Sequence, residues 1–269
     1  MKTNKYLYRV SLMMVFAALF TLSSCGDDDD SADTYKNTKP MRVSKITEYY
    51  THNSDNVRGI YNFLYNREGL LEEIISSKGG AWTFSYDINK IIRGGRTYVL
   101  NNGKVVKMYF RISDVEVVEY YYDYDSNGYM ISEEINSRDY KSHVKKFIWE
   151  NGNLTKCTEY KDGKVRTYYI SYSKIPWPKN WSHYPLIYAD SYFEELFPHP
   201  FGIWGKTPKN LPSRNEMYDD GGRLDSYSCT IDYTIKDDLI TRMAISNIPP
   251  SDYLFTRNCD IEWEEIPAK

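Results

Sequence analysis

Residues 124–129 read Tyr-Asp-Ser-Asn-Gly-Tyr, and this short stretch decides the fold. It has two relatives, Tyr-Asn-Arg-Glu-Gly-Leu at 65–70 and Tyr-Asp-Ile-Asn-Lys-Ile at 86–91, in which an aromatic residue precedes a polar turn. Tighter Asn-Gly or Asp-Gly turns follow strand-like runs near residues 102, 151 and 162. Such turns supply the positive φ that a two-residue hairpin needs, so each copy predicts a strand reversal.

The spacing of these turns gives the strand length. Gly103 and Gly128 are 25 residues apart, and Gly128 and Gly152 are 24 apart, which accommodates two strands of about ten residues with their turns. Near the C-terminus, Cys229, Ile231, Tyr233 and Ile235 alternate with polar residues, as do Ile261 and Trp263 with Asp260, Glu262 and Glu264. We therefore expect an all-β antiparallel meander of long hairpins that forms a strongly curved sheet or a barrel-like body. One face of this sheet should be exposed to solvent.

Residues 174–215 interrupt the hairpin pattern with many Pro and Trp residues. A short helix is predicted between Pro185 and Pro198, because Ala189, Phe193 and Leu196 fall at helical spacing. Hairpins of the same kind lie on both sides of this segment. We therefore interpret residues 41–269 as a single all-β domain with one insertion at 174–215.

Composition supports a folded β-rich protein. The chain has 269 residues, of which 41% are hydrophobic, 16% aromatic and 26% charged, and 27 are Tyr. These values exclude a collagen, a coiled coil and a wholly disordered chain. The positive and negative charges after residue 40 nearly balance, so the body has no basic excess with which to hold nucleic acid.

The N-terminus predicts export. A basic start is followed by an apolar run from Val10 to Leu22, which is far shorter than the ~20 residues of a spanning helix and is typical of a secretory signal. Leu22-Ser23-Ser24-Cys25 resembles the lipobox of bacterial lipoproteins, which implies a signal peptide at 1–24 and a lipid on Cys25. The alternative is an ordinary signal peptide that happens to contain a cysteine.

Residues 25–40 would then form a lipidated cysteine followed by a flexible tether. The tether contains Asp27–Asp30 and Asp33 and almost nothing that could be buried. An acidic run directly after the lipidated cysteine resembles the surface-export signal of Bacteroidetes lipoproteins, which implies a place on the outer membrane, exposed at the cell surface. A spacer without address information is the alternative.

Taken together, the chain resembles a Bacteroidetes lipoprotein family, domain of unknown function 4595, which is described as having a porin-like β fold. The resemblance rests on the lipobox, the acidic tether, the hairpin copies, the segment 202–213 and the closing segment 237–243. The hairpins are also similar to the YD repeats of large bacterial surface proteins, although long regular arrays are missing. The family resemblance implies a fold and a location and assigns no catalytic residue.

Catalytic and metal-binding patterns are weak. His52, His143, His183 and His199 are scattered, which favours loop or surface histidines over metal ligands. Asp190, Glu194 and Glu195 could serve a glycosidase, but acids on the wet side of a helix are commoner. No phosphate-binding loop, nucleophile elbow or zinc-protease helix is present. We therefore expect no enzyme activity, no metal and no cofactor.

The insertion holds the best binding candidates, namely Trp177, Trp181, Tyr184, Trp204 and Lys206. Rigid aromatic faces beside polar groups could stack on sugar rings or anchor a protein partner. The alternative is that the insertion caps an open end of the sheet and that its aromatics are core. The sequence thus favours a lipid-anchored, non-catalytic binding module that touches the membrane through Cys25. A glycan hydrolase with its cleft lined by the insertion and a structural envelope protein are the rival classes.

Two further expectations concern the body. The last predicted strands carry Asp260, Glu262 and Glu264 on one face. This predicts a sheet that does not span the membrane, since a spanning barrel needs an outward apolar band. Cys229 and Cys259 should remain free thiols, because another strand separates them and a disulfide needs Cα atoms within roughly 7 Å.

Overall fold

The structure is a computed structural model that describes residues 40–50, 57–114, 116–137, 143–178, 203–226, 228–248 and 256–267. Within these ranges it forms a closed barrel of 16 antiparallel strands, in which each strand pairs with its neighbours in sequence and β1 pairs with β16. The strands are β1 (Met41–Tyr50), β2 (Val57–Tyr65), β3 (Leu71–Ser76), β4 (Ala81–Asp87), β5 (Lys90–Arg93), β6 (Arg96–Asn101), β7 (Lys104–Ser113), β8 (Glu116–Tyr124), β9 (Met130–Asn136), β10 (His143–Glu150), β11 (Asn153–Lys161), β12 (Lys164–Pro176), β13 (Asn210–Tyr218), β14 (Cys229–Lys236), β15 (Leu239–Asn247) and β16 (Thr256–Glu265).

The predicted all-β meander is confirmed, and the sheet is a closed barrel. The tight turns form as expected: Asn102, Asn151 and Asp162 have φ of 48°, 51° and 50°, and a glycine with positive φ follows each of them. Among the described residues, no helix is long and apolar enough to cross a membrane. The helix expected between Pro185 and Pro198 lies outside the part of the chain that the structure describes.

The strands reach further into the segment 174–215 than expected. β12 continues to Pro176, and β13 already begins at Asn210, although we expected the insertion to extend from residue 174 to residue 215. The prolines are accommodated because the register between β12 and β13 shifts next to Tyr172, where Pro212 pairs, and again before Pro176. Proline lacks an N–H and is tolerated in sheets at such irregular positions.

Six aromatic side chains, which we call the aromatic ladder, join neighbouring strands at one end of the barrel. Each donates a hydrogen bond to a main-chain carbonyl on the strand before it: Tyr65 to Val43 (2.7 Å), Tyr86 to Leu71 (2.6 Å), Tyr124 to Val105 (2.8 Å), Trp149 to Met130 (2.7 Å), Tyr172 to Leu154 (2.9 Å) and Trp263 to Ile240 (2.8 Å). The accepting residues are at most 2% exposed. Each of these aromatic side chains thus packs against the core and satisfies a buried carbonyl.

A β-bulge accompanies each of these hydrogen bonds. A register shift with the neighbouring strand lies beside each of the six accepting residues, for example where Asp123 and Tyr124 pair with Ser132 and Met130. A bulge interrupts the regular main-chain ladder, and a buried carbonyl left without a donor is costly. A tyrosine hydroxyl or a tryptophan N–H supplies the missing donor.

The two ends of the barrel differ. The end with turns 102–103, 125–129 and 151–152 is here called the cap end, and it also carries the start of β1 at Met41 and the end of β16 at Glu265. The opposite end, with turns 94–95 and 162–163, is called the loop end. Near the cap end the interior is apolar, whereas the buried charged residues lie in the half nearer the loop end: Glu48, Arg93, Glu133, Lys145, Glu159 and Arg257.

Candidate functional site

Residues 203–209, which we call the cap segment, cross the cap end and bind three hairpin turns through main-chain hydrogen bonds. The bonds run from Val105 N to Ile203 O (2.7 Å), from Lys206 N to Gly128 O (2.9 Å) and from Lys209 N to Gly152 O (2.8 Å). Ile203 itself is 2% exposed. The cap segment therefore contacts three successive hairpins, accepting a hydrogen bond at the first and donating one at each of the other two.

Gly205 allows the closest approach in this contact. Its φ is +80°, and a Cβ at this position would lie 2.4 Å from the main-chain oxygen of Gly128 and 2.8 Å from the Tyr124 ring. A Cβ cannot come so near to a main-chain atom, and positive φ also disfavours other residues. The segment can therefore lie against the 125–129 turn only because residue 205 is glycine.

The cap segment also explains the position of Trp204. Its ring meets Tyr98 edge-on at 6.0 Å and Tyr122 at 5.2 Å between ring centroids, so it packs on the side chains inside the barrel. Trp177 is 8% exposed and its main-chain N–H donates to Lys209 O at 2.9 Å. Trp177 and Trp204 thus pack as core residues, which is the alternative that the sequence left open for the aromatics of the insertion.

The other predicted binding residues are distributed differently. Lys206 is exposed, and its Nζ lies 5.4 Å from the centre of the Tyr129 ring. Trp181 and Tyr184 lie outside the described residues, as do Asp190, Glu194 and Glu195. A ligand for this set of residues remains a prediction.

A buried cluster of charged side chains lies in the barrel wall on β9 to β12, and sequence reasoning missed it. Lys145 pairs in register with Glu133 on one side and with Glu159 on the other, and its Nζ lies 2.8 Å from Glu133 Oε1. The side chains of Lys145 and Glu133 are 10% and 5% exposed. We call Glu133, His143, Lys145, Glu159 and Tyr168 the charge cluster.

The Glu159 carboxylate makes the remaining hydrogen bonds of the charge cluster. His143 Nε2 lies 2.6 Å from Glu159 Oε1, and the Tyr168 hydroxyl donates to Oε2 at 2.9 Å. The expectation of a loop or surface histidine is wrong for His143, which is 8% exposed and begins β10 inside the barrel. Alternation along the strand could have placed His143 inside the barrel. His143, Lys145 and Phe147 occupy every second position of β10 and alternate with more exposed residues.

The environment of Glu159 shifts its acidity. Burial alone would raise the pKa of this carboxyl, but the hydrogen bonds from His143 and Tyr168 and the charge of Lys145 outweigh burial and lower the pKa to about 2. The carboxylate is therefore ionised in the folded state across the physiological range. Burial and the Glu159 carboxylate together raise the pKa of Tyr168, so its hydroxyl remains a donor.

This shift predicts how stability responds to acid. The pKa of Glu159 is about 2 in the folded state against an ordinary value of 4.5, so Glu159 stabilises the fold fully above about pH 4.5, and this stabilisation is lost as the pH falls towards 2. Urea midpoints measured from pH 2 to 6 should drop more steeply for the wild type than for Glu159→Gln. Parallel profiles for the two proteins would refute this role of the carboxylate.

A second buried ion pair joins the first and last strands. Glu48 on β1 is 1% exposed and lies 3.0 Å from Arg257 Nε on β16 and 3.3 Å from Arg58 Nη1 on β2. Charges removed from water are stabilised only when they are paired. This pair therefore favours closure of the barrel between β16, β1 and β2.

The cysteines behave as expected. Cys229 and Cys259 are buried free thiols on β14 and β16, and β15 lies between them. Cys229 pairs with Asn247 and Cys259 with Met243, so the two are also displaced along the strands. Burial raises the pKa of the Cys229 thiol to about 12, which leaves it protonated and unreactive.

The described residues contain no group of three or more His, Cys, Asp or Glu arranged to hold a metal ion. Two shallow depressions lie on the outer wall, one around Lys107, Tyr109 and Glu119 and one around Thr167, Tyr169 and Tyr218. The first contains a complete ion pair, because Lys107 Nζ lies 2.6 Å from Glu119 Oε1.

Comparison with solved structures gives the fold a name. A porin-like protein from Bacteroides uniformis matches with a TM-score of 0.61 and 17% sequence identity, over 82% of this chain and 98% of that one. The fold is porin-like. A porin-like protein from Bacteroides vulgatus matches with the same TM-score and identity, over 84% of this chain and all of that one.

Sequence comparisons add nothing further. No protein-family model matches the chain, and no curated protein matches it. Membership of the family named domain of unknown function 4595 therefore remains a prediction, whereas the porin-like fold that this resemblance implied is confirmed.

This porin-like barrel distributes its side chains differently from a membrane porin. A porin has a polar, water-filled interior and an apolar outer band. Here the inward side chains near the cap end form an apolar core that includes Leu71, Met130, Leu154 and Ile240, each at most 2% exposed. The outer wall carries ion pairs between neighbouring strands, among them Arg42 with Glu264 (2.6 Å), Lys45 with Glu262 (2.7 Å) and Lys107 with Glu119 (2.6 Å).

Proposed function

We propose that the protein is a lipid-anchored envelope protein whose barrel stands outside the bilayer and serves as a non-catalytic binding or interaction module. One observation carries the proposal: the interior is packed with apolar side chains in the half nearer the cap end, its buried charges are paired, and the outer wall carries ion pairs. This distribution suits a barrel that is surrounded by water and does not conduct solutes.

The energetic cost of the opposite arrangement supports this view. Charged side chains on the lipid face of a membrane barrel cost about 2–4 kcal/mol each at the midplane for Arg and Lys. Lys107 and Glu119 lie in the middle of β7 and β8, and Lys45 and Glu262 lie within β1 and β16. A bilayer around the wall would have to accommodate all four.

The means of attachment is the lipid on Cys25, which the sequence predicts. Two acyl-type chains hold a protein stably on a bilayer, where one chain does not. The acidic run Asp27–Asp30 suits a protein exported to the outer surface of the cell. In this arrangement the membrane contact is made by the lipid and the binding function by the barrel and the insertion.

Lipidation of Cys25 is tested directly by metabolic labelling. Cells that express the protein are grown with labelled palmitate, and the protein should incorporate the label. The Cys25→Ala variant should incorporate none. Cys229→Ala is the matched control, because this buried thiol should not accept lipid and its loss should leave labelling unchanged. Label that persists in Cys25→Ala would contradict the assignment of the anchor.

A further inference from the structure

Three lysines stand together on the cap end. Lys206 and Lys209 belong to the cap segment and are exposed, and Lys104 follows the 102–103 turn. A Cβ at Gly128 would lie 2.8 Å from Lys104 Nζ and 3.8 Å from Lys206 Cγ, so these two side chains flank the same glycine. Lys209 occupies the corresponding place at Gly152, with its Cβ 3.4 Å from a Cβ there.

Aromatic rings are interleaved with these lysines. Lys104 Nζ lies 5.3 Å from the centre of the Tyr124 ring, and Lys206 Nζ lies 5.4 Å from that of Tyr129. Tyr129 in turn packs on Trp149, with 4.6 Å between the ring centroids and an angle of 31° between the ring planes. We call Lys104, Lys206, Lys209 and Tyr129 the cap patch.

The path of the chain determines which way this end faces. β1 begins at Met41 on the cap end, and only residues 26–40 separate it from Cys25. A lipid on Cys25 would therefore anchor the barrel through its cap end.

We propose that the cap patch docks on an anionic lipid surface, with the lysines at the headgroup phosphates and Tyr129 at the interface. This inference rests on the proposed lipid anchor. Lysine and interfacial aromatic residues are the pair of side chains that contacts a bilayer surface, and each Lys or Arg contributes about 1 kcal/mol near an anionic membrane. Three lysines beside a lipid anchor fix the orientation of the barrel on that surface.

Residue-specific labelling of the full lipidated protein tests the proposal. The protein is reconstituted in vesicles of zwitterionic lipid, with or without a share of phosphatidylglycerol, and its lysines are acetylated briefly and quantified by mass spectrometry. On anionic vesicles, acetylation of Lys104, Lys206 and Lys209 should fall by about fivefold or more, and 1 M salt should restore it, because the Debye length is then about 3 Å. The exposed control residues Lys78, Lys146 and Lys164, which lie away from the cap end, should react equally on both kinds of vesicle.

The remaining outcomes overturn the proposal in different ways. Equal acetylation of the cap lysines on both vesicle types would show that the cap patch does not meet the lipid. Protection by inorganic phosphate in neutral detergent would identify a site for free anions. Protection in neutral detergent alone would mean that the acidic run Asp27–Asp30 covers the patch. An intact mass without acyl chains would instead refute the lipid anchor itself.

Discussion

Replacing Lys145 by methionine should lower the free energy of unfolding by about 3–5 kcal/mol, the range for breaking one partner of a buried ion pair. The ammonium group lies 2.8 Å from Glu133 Oε1 and pairs in register with Glu159, and both carboxylates would lose its charge inside the barrel wall. The loss is measured by urea unfolding followed by tryptophan fluorescence.

Two control variants separate charge from packing in this experiment. Lys146 is the next residue, is exposed and points to the outside, so Lys146→Met should change stability by less than about 0.5 kcal/mol. The double variant Glu133→Leu with Lys145→Met removes both charges and should recover much of the loss, because apolar replacements of a buried pair are often neutral. Equal effects of Lys145→Met and Lys146→Met would contradict the charge cluster as described.

Replacing Gly205 by alanine should destabilise the cap segment by about 2–4 kcal/mol, as the sum of the cost of positive φ and of overpacking. The new Cβ would meet Gly128 O at 2.4 Å, and main-chain atoms on both sides resist movement. Trp204 should then leave its contacts with Tyr98 and Tyr122, which is measured as a red shift of its emission together with a lower melting temperature.

Gly163 provides the matched control for this variant. Its φ is +76°, close to the +80° of Gly205, but a Cβ there would meet nothing within 4 Å. Gly163→Ala therefore carries the conformational cost alone, and the difference between the two variants measures the contact of the cap segment with the 125–129 turn. Equal losses in both variants would show that this contact is not close.

The hairpins were predictable from the sequence because their determinants are local. An Asn-Gly or Asp-Gly pair specifies its own φ values, as Asn102, Asn151 and Asp162 show. Closure of the barrel was not predictable in the same way. It depends on pairing between β1 and β16, and the Arg42–Glu264 contact joins residues 222 positions apart.

The roles of particular side chains were harder to predict. Tyr124 was identified as the aromatic residue before a turn, but its hydrogen bond to Val105 joins two strands and accompanies a bulge that the sequence does not reveal. Lys145 sits at an inward position of β10, and only the neighbouring strands show that Glu133 and Glu159 flank it. Trp204 was predicted as a binding residue, and the structure packs its ring on Tyr98 and Tyr122.

The central claim is that the barrel stands outside the bilayer and that the lipid on Cys25 anchors it to the membrane. The most direct test replaces residues 1–25 by a cleavable signal peptide without a lipobox and follows the exported chain from Gly26 onwards. We predict that the folded barrel is recovered without detergent, because its outer wall carries ion pairs such as Lys107 with Glu119. Recovery only in detergent, from membranes washed with alkaline carbonate, would show that the barrel spans the bilayer and would contradict the account.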